Sequence, residues 1–169
     1  MTPPVRNVTV VGAGTMGNGI AHVFAQYGHR VMLCDVKPEL VERGMKTIEA
    51  NLGRQVKKGT LQETQKQETL GRITPSTDLE AASREADLVV EAATEREEIK
   101  KTIFRTLDRT APSQAILASN TSSISITTLG AVTSRPEKVI GMHFMNPVPV
   151  MKLVEIVRGL ATSDETFKT

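Results

Sequence analysis

The chain has 169 residues, enough for one well-buried domain but too few for two ordinary ones. Its 21 Lys and Arg against 19 Asp and Glu give a net charge of +2, with no Trp and few other aromatic residues, which argues against a nucleic-acid partner. A single cysteine excludes an internal disulfide and a cysteine-based zinc site, and fits a reducing, cytoplasmic setting. We expect no membrane partner, because the N-terminus leaves no room for a signal peptide before the first strand and no apolar run approaches the ~20 residues that span a bilayer.

The first part of the chain has the pattern of a βαβ unit. Residues 5–11 predict a buried strand, residues 15–26 a helix, and residues 30–35 a second strand. The crossover is completed within about thirty residues, so the two strands should pair in parallel.

A pair of helices follows. Apolar residues at three- and four-residue steps predict a long helix over residues 38–58, a polar turn at Gly59, and another helical segment over residues 62–70. Together these segments predict a projecting helical hairpin.

The rest of the chain alternates strand-like and helical segments. The clearest helix covers residues 95–109. Further strands or short links are predicted near Ile73 and Leu79 and at residues 87–92, 115–119, 139–144 and 151–157. This alternation predicts an α/β fold, a Rossmann-type, mostly parallel sheet with helices on both faces, in one domain over residues 1–169.

The last residues contain a pattern that opens a helix. The run from Thr162 to Glu165 is a capping box, yet only four residues follow it. We expect the chain to be the N-terminal portion of a longer polypeptide. A disordered tail would explain the same ending.

A glycine-rich turn lies between the first strand and the first helix. Gly12 permits a tight turn, Gly14 lets backbone amides approach a pyrophosphate, and Gly17 lets the helix pack closely. The alternative is that these glycines only make the turn. Asp35 ends the second strand, where a carboxylate accepts both ribose hydroxyls and repels a 2′-phosphate, so NAD is favoured over NADP; Lys37 weakens that repulsion.

Polar residues follow the ends of two later strands. The hydroxyls of residues 119–123 and the amide of Asn120 should line the crevice at the carboxyl edge of the sheet. Alternatively, Ser122 or Ser123 begins a helical segment at residues 124–129 as its cap. Glu91 and Glu95 also follow a strand, but such carboxylates are often only the acidic first turn of the next helix.

A histidine and a carboxylate stand at the two ends of a predicted β-hairpin. Pro147 and Pro149 cannot donate ladder hydrogen bonds, so the turn lies there and residue 143 falls roughly opposite residue 155. His143 and Glu155 are therefore a candidate acid/base pair, the alternative being a satisfied structural histidine.

The remaining ionisable residues are predicted to have mainly structural or solvent-exposed roles. His22 and His29 lack a predictable carboxylate partner, no metal-ligand spacing links the histidines, and Cys34 should be a small buried residue. We expect Lys100 to pair with Glu97 or to face solvent. Arg54, Lys57 and Lys58 end the long helix as a solvated face or as a phosphate site.

Four motifs, taken together, resemble those of the 3-hydroxyacyl-CoA dehydrogenase family, in its short-chain, 3-hydroxybutyryl-CoA type. They are Gly-Ala-Gly-Thr-Met-Gly at 12–17, Val-Glu-Ala-Ala-Thr-Glu at 90–95, Ala-Ser-Asn-Thr-Ser-Ser at 118–123, and His-Phe-Met-Asn-Pro-Val-Pro-Val-Met-Lys-Leu-Val-Glu at 143–155. The resemblance covers nearly the whole chain.

The resemblance implies roles for individual residues. His143 would be the catalytic base, Glu155 its orienting carboxylate, and Ser122 a hydrogen-bond donor to substrate and nicotinamide. Substrate contacts would include Lys58, and Asn51 where some relatives have serine. The residues expected at the cofactor are Gly12, Ala13, Gly14, Thr15, Met16, Gly17, Asp35, Glu95, Lys100, Asn120, Ser122 and Asn146.

The implied reaction is NAD-dependent oxidation of an L-3-hydroxyacyl-CoA, or the reverse reduction. The resemblance also implies an all-helical C-terminal domain absent from this sequence, and a homodimer for the full-length protein. Two alternatives remain open: a dehydrogenase of a free hydroxy acid or sugar acid on the same scaffold, and a non-catalytic NAD-binding module.

Overall fold

The computed structural model describes residues 4–169, so the first three residues of the predicted domain lie outside the described residues. Its centre is a seven-stranded sheet in the order β3-β2-β1-β4-β5-β6-β7. The strands are β1 Asn7–Val11, β2 Arg30–Cys34, β3 Ile73–Ser76, β4 Leu88–Glu91, β5 Ile116–Ser119, β6 Val139–Phe144 and β7 Val154–Arg158. The helices are α1 Thr15–Gln26, α2 Pro38–Lys57, α3 Glu63–Gly71, α4 Leu79–Ser83, α5 Glu97–Thr110, α6 Ile126–Gly130 and α7 Asp164–Lys168.

The first six strands run parallel, and β7 pairs antiparallel with β6. Strand order reverses between β1 and β4, the place where ligands bind in open α/β sheets, outside the carboxyl ends of the strands. The predicted mostly parallel α/β sheet is confirmed.

Two apolar clusters cover opposite faces of the sheet. Successive residues of a strand point to opposite faces. Accordingly, Leu88 and Val90 of β4 join one cluster and Val89 joins the other. The first cluster receives Ile20 of α1 and Ile48 and Leu52 of α2, and the second receives Phe104 and Leu107 of α5 with Leu129 of α6. Helices therefore lie on both faces, as predicted.

The predicted helical hairpin consists of α2 and α3, and it packs against α1. Ile48 and Leu52 are fully buried at this contact, whereas Leu40 and Met45 stay partly accessible. Gly59, with φ +74°, makes the turn between the two helices. Among residues 4–169, none of the helices combines the length and apolar character needed to cross a bilayer.

Two predicted segments differ from the structure in type or extent. Leu79 begins the short helix α4 and not a strand or link, because the Asp78 carboxylate caps it by accepting a hydrogen bond from Ala81 N. Strand β7 begins at Val154 and not at residue 151, because the amides of Val150 and Met151 donate to Pro147 O in a turn.

Two helix starts also shift. Helix α5 begins at Glu97, so Glu95 lies in the loop before it. The last helix is capped by Ser163, which accepts from Thr166 N, and not by Thr162. The Thr162 hydroxyl instead donates to Val139 O at 2.7 Å, so it ties the end of β7 to β6.

Candidate active site

The glycine turn between β1 and α1 combines two crowded positions with an open one. Gly12 has φ +100°, and a Cβ there would lie 2.6 Å from Ala92 O. A Cβ on Gly17 would lie 1.6 Å from Gly12 O. A Cβ on Gly14 would meet no atom of residues 4–169 within 4 Å. Two glycines are thus required by packing, and the third faces open space.

That open space lies at the N-terminus of α1. The first amides of a helix have no partner within the helix, and Gly14, as the N-cap, has no side chain with which to cap them. Such amides bind an anion such as a pyrophosphate, together with the positive end of the helix dipole. The turn therefore fits the phosphates of a dinucleotide.

Asp35 is held beside this turn by the main chain. Its Oδ2 accepts from Ala13 N and its Oδ1 accepts from Val36 N, each at 2.7 Å. Each carboxylate oxygen retains a second acceptor direction, so the group can still bind two ribose hydroxyls. The residues present therefore fit NAD.

The β6–β7 hairpin brings the predicted acid/base pair together. His143 and Glu155 are direct cross-strand partners, and His143 Nδ1 lies 2.9 Å from Glu155 Oε2. A carboxylate only accepts, so the proton of this bond belongs to Nδ1 and the lone pair of the neutral imidazole lies on Nε2. The pair is thus arranged as a base oriented by a carboxylate.

His143 stands between two open cavities at the carboxyl edge of the sheet. One, of about 330 Å³, is lined by Met16, Glu95, Asn120, Ser122, His143 and Asn146, among others. The other, of about 360 Å³, is lined by Ser122, His143 and Glu155 together with residues of the loop before α6. His143 and Ser122 border both cavities. A ligand on either side can therefore reach the imidazole.

Ser122 is not a helix cap. Ser125 caps α6 by accepting from Thr128 N at 3.3 Å, so the proposed capping role of Ser122 or Ser123 is wrong. The Thr121 hydroxyl accepts from the amides of Ser123 and Ile124 and so shapes the loop. Ser122 is therefore presented to both cavities by a loop that other residues hold in place.

Glu95 connects this loop to α5. Its Oε2 accepts from Ser122 N and from the Ser123 hydroxyl, both at 3.3 Å, and its Oε1 lies 3.2 Å from Lys100 Nζ. Burial alone would raise the pKa of Glu95, but hydrogen bonds from Thr121 and Lys100 and the amide of Ser122 outweigh it and lower the pKa. The carboxylate is charged where it borders the cavity.

Lys100 does not behave as its surroundings in the sequence suggest. It is 1% exposed and pairs with Glu91 at 2.6 Å and with Glu95 at 3.2 Å, so the expected pairing with Glu97 or solvent is wrong. Glu97 pairs with Lys101 instead. Lys100 lies on the same face of α5 as the buried Phe104 and Leu107, which turns it inward.

The comparisons with known proteins agree with this geometry. The model of the NAD binding domain of 3-hydroxyacyl-CoA dehydrogenase matches residues 7–169. The chain belongs to the 3-hydroxyacyl-CoA dehydrogenase family. The resemblance drawn from the four motifs is confirmed, and the NAD binding domain confirms the predicted cofactor.

Relatives within the family are similar over almost the whole chain. It is 52% identical to the probable 3-hydroxybutyryl-CoA dehydrogenase of Bacillus subtilis over 96% of this chain and 56% of the relative. It is 43% identical to the human mitochondrial hydroxyacyl-coenzyme A dehydrogenase over 98% of this chain and 54% of the relative. The crystal structure of (S)-3-hydroxybutyryl-CoA dehydrogenase from Ralstonia eutropha superposes with a TM-score of 0.93 at 49% identity, over 96% of this chain and 57% of that one. The chain thus spans little more than half the length of these relatives.

Two residues of the family motifs have contacts that the sequence did not predict. Glu91 is completely buried as the last residue of β4, so the alternative that it belongs to the first turn of the next helix is wrong. The available signal was an ionisable residue closing an otherwise apolar strand. The side-chain Oδ1 of Asn120 accepts from Phe144 N at 2.8 Å, which joins the loop after β5 to the end of β6 beside His143. Asn146 precedes Pro147 through a cis peptide bond.

The predicted substrate residues lie apart from this site. Among the described residues that line the two cavities, neither Asn51 nor Lys58 is present. Asn51 accepts a hydrogen bond from Arg54 on α2, and Lys58 is exposed at the end of that helix. Asn51 and Lys58 thus lie outside the lining of both cavities, so a ligand that contacts them as well as His143 must extend beyond these cavities.

The other reactive side chains are buried or bonded elsewhere. His22 is fully buried and its Nε2 bonds Gln26, and the ring of His29 bonds Val5 O. Cys34 is buried as predicted, and burial, with Asp35 and Asp78 nearby, raises its pKa to about 11.

Proposed function

We propose that this chain supplies the NAD site and the proton-transferring histidine of an L-3-hydroxyacyl-CoA dehydrogenase. The single observation behind the proposal is the His143–Glu155 bond of 2.9 Å, placed between two cavities in a domain whose glycine turn fits a dinucleotide. The names of the family and of its relatives supply the class of substrate.

In the proposed oxidation, His143 removes the proton of the C3 hydroxyl. Its Nε2 lone pair faces away from Glu155, because Nδ1–H donates to that carboxylate. Once protonated, the imidazolium is stabilised by Glu155, and in the reverse reduction it returns the proton to the 3-oxygen. Acid/base catalysis of this kind contributes roughly 10²- to 10⁴-fold. NAD, when bound at the glycine turn and Asp35, would supply the hydride chemistry at C3 in either direction.

Ser122 and the residues around it would position the reacting groups. Ser122 borders both cavities, so its hydroxyl can donate to the substrate oxygen beside His143. Glu95, Asn120 and Asn146 line the first cavity and are proposed to bound the nicotinamide side. Lys100 also lines this cavity, and its ammonium, buried against Glu91 and Glu95, would hold the Glu95 carboxylate in place.

The acyl-CoA would extend from this edge to the α2–α3 hairpin. The exposed Lys58 suits a phosphate of CoA and the Asn51 amide a polar contact on the same helix. An acyl-CoA has a phosphate-bearing part that could extend beyond the cavities to this helix, whereas a free hydroxy acid has none. The full-length protein is proposed to add a helical C-terminal domain, to form a homodimer, and to act in the cytoplasm, where a lone thiol stays reduced.

The test is reduction of acetoacetyl-CoA, followed by loss of NADH absorbance, with NADPH and free acetoacetate as matched comparisons. It is run on this chain and on a version joined to the C-terminal region of the Bacillus subtilis relative. Saturable turnover of acetoacetyl-CoA with NADH, but not with NADPH and not with free acetoacetate, supports the proposal. Equal turnover of acetoacetate indicates a dehydrogenase of free acids. NADH binding without turnover in both forms indicates a non-catalytic module.

A further inference from the structure

Glu91 is a buried charge that the proposed reaction does not use directly. It is 0% exposed, so it touches no ligand. Its Oε1 accepts from Lys100 Nζ at 2.6 Å and from Ala93 N at 2.8 Å, and its Oε2 accepts from the Ser119 hydroxyl at 2.6 Å. Burying a charged carboxylate costs desolvation energy, which these hydrogen bonds and the ion pair with Lys100 offset.

That cation is shared with a second carboxylate. Lys100 is 1% exposed, and its ammonium donates to Glu91, to Glu95 and to Ala93 O at 3.3 Å, which uses all three of its protons. Lys100 is nearer to Glu91, at 2.6 Å, than to Glu95, at 3.2 Å. Glu95 is therefore only partly neutralised. Both Glu95 and Lys100 line the first cavity, but the side chain of Glu95 is 43% exposed and that of Lys100 only 1%.

We call Glu91, Lys100 and Glu95 the buried triad. Two carboxylates against one ammonium leave one net negative charge. Glu95 carries that charge to the cavity that also contains His143. In the proposed reaction the substrate C3 exchanges hydride with the nicotinamide ring and its hydroxyl proton goes to His143. The nicotinamide ring must therefore lie near the imidazole, and so near this negative charge.

We propose that the buried triad sets the redox preference of the site by favouring the oxidised, positively charged nicotinamide over the neutral reduced ring. The inference rests on the proposed function, since it needs the cofactor beside His143. Glu91 is then a positioning residue that acts through Lys100. Because the Lys100 ammonium mainly neutralises Glu91, Glu95 keeps most of its negative charge. A unit charge in a partly enclosed site acts over several ångströms.

The test is a pair of binding constants, one for NAD and one for NADH, measured by titration calorimetry at fixed ionic strength. Glu91→Gln keeps the size of the side chain and its hydrogen bonds, because the amide oxygen still accepts from Lys100 and the amide nitrogen can donate to a rotated Ser119 hydroxyl. It makes the triad neutral. We expect the ratio of the NADH to the NAD dissociation constant to fall roughly fivefold.

A second variant restores the charge. Glu91→Gln combined with Lys100→Met leaves Glu95 alone with one negative charge, so the ratio should return to within about twofold of the unmodified chain. The matched control is Glu137→Gln, which should leave the ratio unchanged. Glu137 is exposed and lies just before the start of β6, whereas His143 lies near the end of that strand.

Three outcomes decide the matter. A fallen ratio that the double variant restores supports the proposal. A ratio that does not move in Glu91→Gln, including the case in which both forms bind equally more weakly, overturns it and leaves Glu91 a structural role. If the unmodified chain binds neither NAD nor NADH, the proposed function itself fails and takes the inference with it.

Discussion

Ser122 and Ser125 are three residues apart, yet the structure assigns them separate tasks. The hydroxyl of Ser125 is used by Thr128 N at the start of α6, while Ser122 faces both cavities beside His143. The sequence pattern offered Ser122 or Ser123 as the cap of a segment at residues 124–129, whereas the helix begins at Ile126 and Ser125 is its cap. The exact start of the helix decides which hydroxyl remains for a ligand.

The two serines therefore offer a matched pair of substitutions. Ser122→Ala should lower kcat/KM for acetoacetyl-CoA roughly tenfold, the loss of about one hydrogen bond of 1–1.5 kcal/mol, with little change in the free energy of unfolding. Ser125→Ala should do the reverse, costing about 1 kcal/mol of stability as a lost cap and leaving turnover within about twofold. Urea unfolding and steady-state rates on both variants check this. Equal effects of the two changes on turnover would contradict the assignment.

At the scale of elements, the glycine turn shows which parts of a motif packing requires. The spacing of the three glycines predicted a dinucleotide-binding turn, and the structure shows that they have different roles in it. Gly17 packs against Gly12 O, while Gly14 faces open space. Helix α5 buries a charged residue with its apolar face. Lys100 lies on the same face as Phe104 and Leu107 and is buried with them, where Glu91 pairs with it.

The turn predicts opposite outcomes for two Gly→Ala changes. Gly14→Ala should fold with a free energy of unfolding within about 0.5 kcal/mol of the original, since its Cβ meets no atom of residues 4–169 within 4 Å, yet should bind NADH poorly. Gly17→Ala should destabilise the chain strongly, because its Cβ would lie 1.6 Å from Gly12 O. Thermal unfolding and NADH fluorescence titration separate the two. Normal NADH binding by Gly14→Ala would show that the pyrophosphate is not bound at this turn.

Over the whole molecule, much of the fold followed from local patterns. The βαβ unit, the helical hairpin and the register that sets His143 opposite Glu155 were all predicted. The buried Lys100–Glu91 pair and the Gln26–Gln55 bond were not, since each joins residues that the fold brings together from separate elements. Contacts of that kind depend on tertiary packing, which periodicity does not encode.

Buried His22 gives the molecule a pH-dependent stability. Burial lowers its pKa from 6.5, against a smaller raising effect of the bond to Gln26. As the pH falls below 6.5, His22 is therefore protonated in the unfolded chain first. In the folded chain it is protonated only when the pH reaches its lowered pKa. The contribution is full above this window and is lost as the pH falls through it, at no more than about 1.4 kcal/mol per pH unit.

Comparison of the original chain with His22→Gln isolates this effect. The difference in free energy of unfolding between the two should favour the original chain most above pH 6.5, the unfolded value, and shrink as the pH falls towards 5. Urea unfolding at several pH values measures it. A difference that stays constant from pH 7 to pH 5 would mean that His22 titrates equally in both states.

The central claim is that His143 transfers the proton. The most direct measurement is acetoacetyl-CoA reduction by His143→Gln beside NADH titration of the same protein. His29→Gln is the control, because the His29 ring bonds Val5 O, packs against Phe24 and lines neither cavity. We predict a loss of turnover of at least roughly 10²-fold with the NADH dissociation constant unchanged within about twofold. Turnover of His143→Gln at a rate close to that of the original protein would contradict the account.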